Sequence, residues 1–248
     1  SFGAAVGAIA FVHPTYALFL LVPLCAYTVV QWRDWRSGPV ALGCAFVPTI
    51  LILLWLRPIV EETVSVGPDA AERMRSLRHY GTQLTIFGEH DFRLRPEVLG
   101  RGGSVAVAAL LLVPLAGLAL RRRWAAYVLA GTVSIVALML IPWLFVNLSD
   151  AVSLSQSRRA AGFAPLPFAL AGGAALLARS KWLSPLALVA GILLQWAWPG
   201  DFAYGLHTGG PPLAAWIAVG GGTAALVFWV VASAVWGRPL LSEKHELA

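Results

Sequence analysis

Long apolar runs, separated by shorter polar connectors, make up most of this chain. An α-helix rises about 1.5 Å per residue, so roughly 20 apolar residues cross the ~30 Å hydrocarbon core of a bilayer. The pattern therefore predicts an all-α polytopic transmembrane helix bundle, with one partial span at 2–12 and about seven full spans. The full spans are predicted at 14–32, 40–56, 104–120, 124–147, 163–178, 182–198 and 213–236.

The first apolar stretch, "AIAFVHPTYALFL" at 8–20, is interrupted by His13 and Pro14. Proline is favourable at the first position of a helix, because the N–H that it lacks would have no partner there. We therefore predict that one helix ends at His13 and that the next begins at Pro14. This places the imidazole at the end of a span and not at the centre of the bilayer.

The composition agrees with a membrane protein, since 58% of the residues are hydrophobic and 12% are charged. A soluble domain has roughly 25% charged residues, which it needs to cover a surface that faces water. The net charge of +6 would suggest a nucleic-acid partner in a soluble protein, but here we interpret it as a topology signal and expect no nucleic acid. Cys25 and Cys44 lie in apolar runs, which predicts neither a disulfide nor a thiolate metal site.

The connectors alternate in character, and this alternation predicts the orientation. Short basic connectors favour the cytoplasmic side, whereas long loops cross a membrane largely regardless of charge. The predicted cytoplasmic segments are 33–36, 121–123, 179–181 and the C-terminus from 237; the predicted outer segments are 57–103, 148–162 and 199–212. We interpret 1–248 as one transmembrane domain of a bacterial plasma membrane protein, with 57–103 as its extracytoplasmic loop. Because it begins with Ser1 inside an apolar run, we expect a fragment of a longer protein.

The 57–103 loop contains a second periodic pattern. A plausible helix start at Pro68-Asp69 is followed by apolar residues at spacings of three and four, with arginines beside them. This stripe consists of Met74, Leu77, Tyr80 or Gly81, Leu84 and Phe87. It predicts an amphipathic helix in the membrane interface, with its arginines near lipid phosphates. The alternative is a loop helix that packs on the bundle with solvated arginines.

Several polar residues of the outer segments are candidates for a site. Glu89, His90 and Asp91 are adjacent and carry groups suited to proton transfer or metal binding, although such a run is also typical of a solvated turn. The full set of outer-loop candidates is Arg75, Arg78, His79, Glu89, His90, Asp91 and Asp150. Asp201, Tyr204 and His207 lie in the last outer loop, which is either a small lid or a turn. We expect no cofactor, and nothing in the sequence supports a divalent metal.

Arg158 and Arg159 are the strongest candidates for binding an anion. They stand on the side of the membrane where positive charge is normally depleted, just before a span that opens with prolines, "APLPFAL". The planar guanidinium donates two parallel hydrogen bonds, which suits a phosphate group at headgroup depth. The alternatives are lipid-headgroup anchoring or an ion pair with Asp150.

The break "AFVHPTYALFLLVPL", the long outer loop and "SRRAAGFAPLPFAL" before a late span resemble the membrane glycosyltransferases of the C-type fold (GT-C). These enzymes use polyprenyl-phosphate-linked sugars. The resemblance implies sugar transfer to a cell-envelope glycan on the outer face, with membrane lipids as further partners. It implies that outer-face arginines and histidines contact the donor phosphate, which we match to Arg158, Arg159 and His13. The family's catalytic carboxylate lies in the first outer loop, so we expect it upstream of this chain.

Two other functions remain open at this stage. One is a multi-spanning carrier or flippase for a lipid-linked precursor, and the other is a non-catalytic membrane scaffold module. An ion-coupled transporter usually places an ionisable group deep within a span, and no carboxylate or lysine lies there in this sequence.

Overall fold

The computed structural model describes residues 2–32, 36–64, 70–100, 103–120, 122–170, 183–198 and 213–236. These residues are mainly helical, which confirms the predicted helical class. The chain divides into two compact units. One unit contains Ser1–Arg95 with Val133–Ala164, and the other contains Pro96–Thr132 with Pro165–Ala248.

The first unit begins with helices of the N-terminal apolar runs and continues with the polar elements of the long loop. Its elements before residue 95 are α1 (Phe2–Val12), α2 (Pro14–Val30), α3 (Gly38–Trp55), α4 (Arg57–Val64), α5 (Ala70–His79), a 3₁₀ helix (Gly81–Gln83), β1 (Leu84–Gly88) and β2 (Asp91–Leu94). α1, α2 and α3 pack against one another. The predicted break at His13 is confirmed, because α1 ends at Val12 and Pro14 opens α2.

Small residues let α1 and α3 approach closely. A methyl group added at Gly3 would lie 3.1 Å from the carbonyl oxygen of Cys44, and one added at Gly7 would lie 3.4 Å from Pro48. The pairs advance in the same direction along both helices, so α1 and α3 are parallel. This spacing of two glycines four residues apart is a common way for helices to pack in membranes.

The predicted interfacial helix extends too far, because α5 ends at His79 and the following residues form an antiparallel hairpin of β1 and β2. Leu84 is opposite Leu94 and Ile86 is opposite Phe92, with a bulge before Gly88. The spacing of Leu84 and Phe87 matches a helix, but Phe92 and Leu94 are both buried and alternate with Arg93, as expected of a strand. Phe87 is 60% exposed and does not continue a buried stripe.

The first unit also contains the elements that follow the helix Arg123–Leu140. α8 (Arg123–Leu140) contributes residues to both units, and it is followed by α9 (Pro142–Val152), α10 (Leu154–Ser157) and a 3₁₀ helix (Arg158–Phe163). Elements α6 (Glu97–Gly100) and α7 (Ser104–Leu112) lie between β2 and α8. The predicted span 124–147 is therefore wrong at its end, because Ile141 is extended and Pro142 starts a new helix. Proline cannot donate the backbone hydrogen bond that would continue α8.

α9 packs on the hairpin instead of extending α8. The rings of Phe92 and Phe145 meet edge to face, with 6.0 Å between their centroids, and both side chains are almost fully buried. The Arg93 side chain donates a hydrogen bond to the carbonyl oxygen of Leu140 at 3.4 Å. The hairpin, α9 and the end of α8 thus form one layer at one end of the first unit.

The second unit is built around α7. α7 is followed by a 3₁₀ helix (Pro114–Ala119), and it packs against α11 (Leu183–Ala197) and α12 (Leu213–Trp236). A methyl group at Gly191 would overlap the carbonyl oxygen of Ser104, so α7 and α11 are in close backbone contact. Alanines and leucines of α7, the 3₁₀ helix and α8 form the core, together with Ala169 and Ala187.

Three described helices are long and apolar enough to cross a membrane, namely Gly38–Trp55, Arg123–Leu140 and Leu213–Trp236. Shorter apolar helices occupy Phe2–Val12, Pro14–Val30, Ser104–Ala119 and Pro185–Ala197. Large apolar side chains on these helices are exposed on the protein surface, including Leu51, Trp55, Phe228 and Trp236. Contact with lipid would remove such side chains from water.

Candidate functional site

The corner between α1 and α2 holds His13 in a defined position. Its backbone N–H donates to the carbonyl oxygen of Ile9 at 2.7 Å, and its own carbonyl oxygen accepts from the N–H of Tyr16 at 3.0 Å. The imidazole lies flat on the Tyr16 ring, with 3.8 Å between the centroids and 14° between the planes. The His13 Nδ1 atom is buried and has no hydrogen-bond partner within the described residues.

The 3₁₀ helix Arg158–Phe163 places two arginines beside this corner. Ala160 and Ala161 are buried, and the helix packs on α2. Ser153, in the turn between α9 and α10, has a φ of 79°, a left-handed conformation that side-chain-bearing residues rarely adopt. α10 follows this turn and packs against α9, and the 3₁₀ helix after it packs on α2.

Arg159 is exposed and reaches Tyr16. Its Nη1 donates a hydrogen bond to the Tyr16 hydroxyl at 2.9 Å, across 143 residues of sequence. The Phe163 ring meets the Tyr16 ring edge to face at 5.3 Å. His13, Tyr16, Arg159 and Phe163 therefore form one contiguous group, which we call the Tyr16 cluster.

Arg158 points to different partners from those of its neighbour. Its Nη1 donates to Oε1 of Gln83 at 3.1 Å, and its guanidinium lies 4.4 Å above the centre of the Tyr80 ring. Gln83 is buried, and its backbone is fixed by hydrogen bonds to Tyr80 and Arg95. Successive residues of a 3₁₀ helix are about 120° apart, which explains why the two arginines diverge.

A second polar group links α5, the hairpin and α9. Arg73 donates from Nη1 to Nδ1 of His90 at 2.9 Å, and its Nη2 lies 3.2 Å from Oδ1 of Asp150. Because arginine has no acceptor, Nδ1 of His90 accepts in this contact. We call this group the Arg73 cluster.

The remaining outer-loop candidates are on the surface. Arg75, Arg78, His79, Glu89 and Asp91 are all exposed, and His79 meets the Tyr80 ring edge to face at 4.7 Å. The structure thus brings His90 and Asp150 together through Arg73, but it does not assemble the whole predicted set into one site. Among the described residues, no three His, Cys, Asp or Glu side chains are placed to hold a metal ion.

Some candidates fall outside what the structure describes. Asp201, Tyr204 and His207 are outside the described residues, and so are Pro68 and Asp69 at the predicted helix start. Most residues of the basic connectors are outside them as well.

Sequence reasoning did not single out Tyr16 or Gln83, and it considered Arg73 only as one of the arginines beside the predicted interfacial helix, near lipid phosphates. Tyr16 could have been identified from the sequence, because it lies in the first turn of the helix that begins after His13 and is therefore close to the His13 ring. Gln83 has none, since its role depends on a contact with Arg158 that is 75 residues away.

The two clusters and Arg158 bring three connectors to the same end of the first unit. Tyr16 and Arg159 join the α1–α2 corner to the 148–162 connector. Gln83 and Arg158 join that connector to the 57–103 loop, and Arg73 and Asp150 do so again. Through Tyr16, the Arg159 guanidinium lies beside the N-terminus of α2, where the helix dipole is also positive.

No protein-family model matches this chain, and neither does any curated protein or solved structure.

Proposed function

We propose that this chain supplies the donor-phosphate site of an integral membrane glycosyltransferase, which transfers a sugar from a polyprenyl phosphate to a cell-envelope glycan. The observation that carries the proposal is the convergence of Arg159 and His13 on Tyr16, beside the N-terminus of α2. An arginine and the positive end of a helix both favour a bound phosphate. In the proposed membrane arrangement, the exposed guanidinium of Arg159 would lie at the depth of a lipid headgroup.

The membrane arrangement belongs to the same proposal. We infer about seven spans in a bacterial plasma membrane, with the cluster-bearing end of the first unit outside and the C-terminus in the cytoplasm. The three long apolar helices support membrane insertion, and the short basic connectors support the orientation. A polyprenyl chain would then lie among lipid tails while its phosphate lies at the level of the Tyr16 cluster.

The chemical task of the cluster is to stabilise a leaving group. When the acceptor hydroxyl attacks the sugar, the bond to the phosphate breaks and negative charge grows on the departing phosphate oxygen. Guanidinium donors that are already in place stabilise this charge without reorganising during the reaction. A carboxylate base that deprotonates the acceptor performs the other half of the chemistry in this class of mechanism.

The test is sugar transfer from a polyprenyl-phosphate donor by the full-length protein at matched expression. Hydrogen bonds to charged groups contribute roughly 1.5–3 kcal/mol, so the Arg158→Ala, Arg159→Ala double variant should transfer about ten- to a hundredfold more slowly. Arg57→Ala is the control, because Arg57 is an exposed arginine of the 57–103 loop whose partner is Glu61. If charge alone matters, the Lys variants should retain more activity than the Ala variants.

Two outcomes would count against the proposal. Transfer by the double variant at the wild-type rate would show that the arginines only anchor the protein to lipid. Movement of the donor lipid between leaflets without any sugar transfer would favour a carrier for the lipid-linked precursor.

A further inference from the structure

Tyr16 physically connects two of the three residues that we match to the donor phosphate, His13 and Arg159. Its hydroxyl accepts a hydrogen bond from Arg159, and its ring stacks on His13. The ring is also held at its edge by Phe163, which in turn contacts Phe19 at 5.5 Å. Tyr16 is half-buried, so its ring is fixed while the polar end of the cluster remains accessible.

The contact with Tyr16 leaves most of the Arg159 donors unused. A guanidinium has five N–H groups, and the contact uses one of them. Within the described residues, no carboxylate pairs with Arg159. The tyrosine hydroxyl accepts from Arg159 through a lone pair, so its own proton remains available to a second acceptor.

Arg158, unlike Arg159, is held by contacts with two side chains of the 57–103 loop. Its guanidinium is stacked over Tyr80 and donates to Gln83, whose side chain is buried. Its Nε is enclosed and has no partner within the described residues. These contacts join the 3₁₀ helix to the residues just before β1, which is a structural task.

We propose that the phosphate site consists of His13, Tyr16 and Arg159, and that Arg158 lies outside it as a structural support. The Tyr16 hydroxyl holds Nη1 of Arg159 and donates its own proton to an oxygen of the same phosphate. The Tyr16 ring holds His13 against the same ligand. This assignment rests on the proposed phosphate-binding function, and it adds Tyr16 to two of the three residues matched by resemblance, His13 and Arg159.

The test measures binding of farnesyl monophosphate to the protein in nanodiscs by calorimetry, with farnesol as the ligand that lacks phosphate. Tyr16→Phe keeps the ring and removes the hydroxyl, and it should weaken binding about tenfold, as expected for one hydrogen bond to a charged group. Tyr80→Phe is the matched control, because the contact of Tyr80 with Arg158 is made by the ring. It should bind like the wild type. Inorganic phosphate should compete if the free anion is sufficient, and should not if the prenyl chain is required.

A double-mutant cycle separates ligand binding from a merely structural role of Tyr16. If the hydroxyl acts together with Arg159, Tyr16→Phe should cost much less in the Arg159→Ala background than in the wild type. Equal losses in both backgrounds, or a Tyr16→Phe variant that binds like the wild type, would overturn the assignment of Tyr16. An Arg158→Ala variant that remains folded but loses all binding would overturn the exclusion of Arg158. A wild-type protein that binds farnesyl monophosphate no better than farnesol would overturn the proposed function itself.

Discussion

Adjacent arginines at the start of one 3₁₀ helix have different surroundings, and their effects on stability should differ accordingly. Arg158 is half-buried between Tyr80 and Gln83, whereas Arg159 is exposed and makes one hydrogen bond to Tyr16. A partly desolvated cation–π contact contributes roughly 0.5–2 kcal/mol, and a hydrogen bond contributes about 1 kcal/mol.

We therefore expect Arg158→Ala to destabilise the protein by about 1–3 kcal/mol, and Arg159→Ala to change its stability by less than about 0.5 kcal/mol. Thermal unfolding in detergent measures both variants against the wild type. Equal decreases in the melting temperature of the two variants would contradict the different roles that we assign to these arginines.

At the same scale, the sequence identified candidate residues but not the side chains that contact them. His13, Arg158 and Arg159 were candidates because an ionisable group near a span end and a double arginine before a span are visible in sequence. The divergence of the two arginines was not visible, because it depends on Tyr16 and Gln83, which reach them only through tertiary contacts.

At the scale of elements, glycines mark where helices approach most closely. The sequence pattern "GGG" at 220–222 predicts close helix packing, and the structure assigns this role to Gly222. A methyl group added there would overlap the carbonyl oxygen of Leu111, whereas one added at Gly221 would have no atom of a described residue within 4 Å.

Gly222→Ala should therefore force α7 and α12 apart and destabilise the protein by about 1–3 kcal/mol, the usual cost of overpacking. Gly221→Ala is the matched control in the next position of the same helix, and it should be neutral or slightly stabilising because alanine is the better helix former. Thermal unfolding of both variants is the measurement. A Gly222→Ala variant as stable as Gly221→Ala would show that the two helices do not pack in this way.

Proline positions made some helix boundaries predictable, whereas the apolar pattern of the sequence concealed other element boundaries. The boundary at His13 and Pro14 follows directly from the missing N–H of proline. Pro142 carries the same signal, but the apolar residues beyond it favoured one long span over a break. The hairpin was missed because Leu84 and Phe87 fit a helical spacing, and the alternation that favours a strand begins only at Phe92.

At the scale of the whole molecule, the contacts of the first unit constrain the topology. Tyr16–Arg159 and Arg73–Asp150 place the α1–α2 corner, the 57–103 loop and the 148–162 connector at one end of that unit. These segments must therefore lie on the same side of the membrane, whichever side that is. In the proposed topology, the positive-inside rule predicts that 179–181 is cytoplasmic, which would put the three segments outside.

Single cysteines are introduced in a Cys25→Ala, Cys44→Ala background and probed with a membrane-impermeant thiol reagent on intact cells. This tests whether the 57–103 loop and the 148–162 connector lie on the same side of the membrane and which side that is. Glu89 is an exposed residue of the hairpin turn, and Gly162 is exposed with space for a side chain. We expect labelling of Glu89→Cys and Gly162→Cys but not of Ser180→Cys, while permeabilised cells should label all three. Labelling of Ser180→Cys alone would reverse the proposed orientation and leave the fold of the first unit intact. Opposite results for Glu89→Cys and Gly162→Cys would contradict the fold itself, because its contacts bring these two segments to the same end.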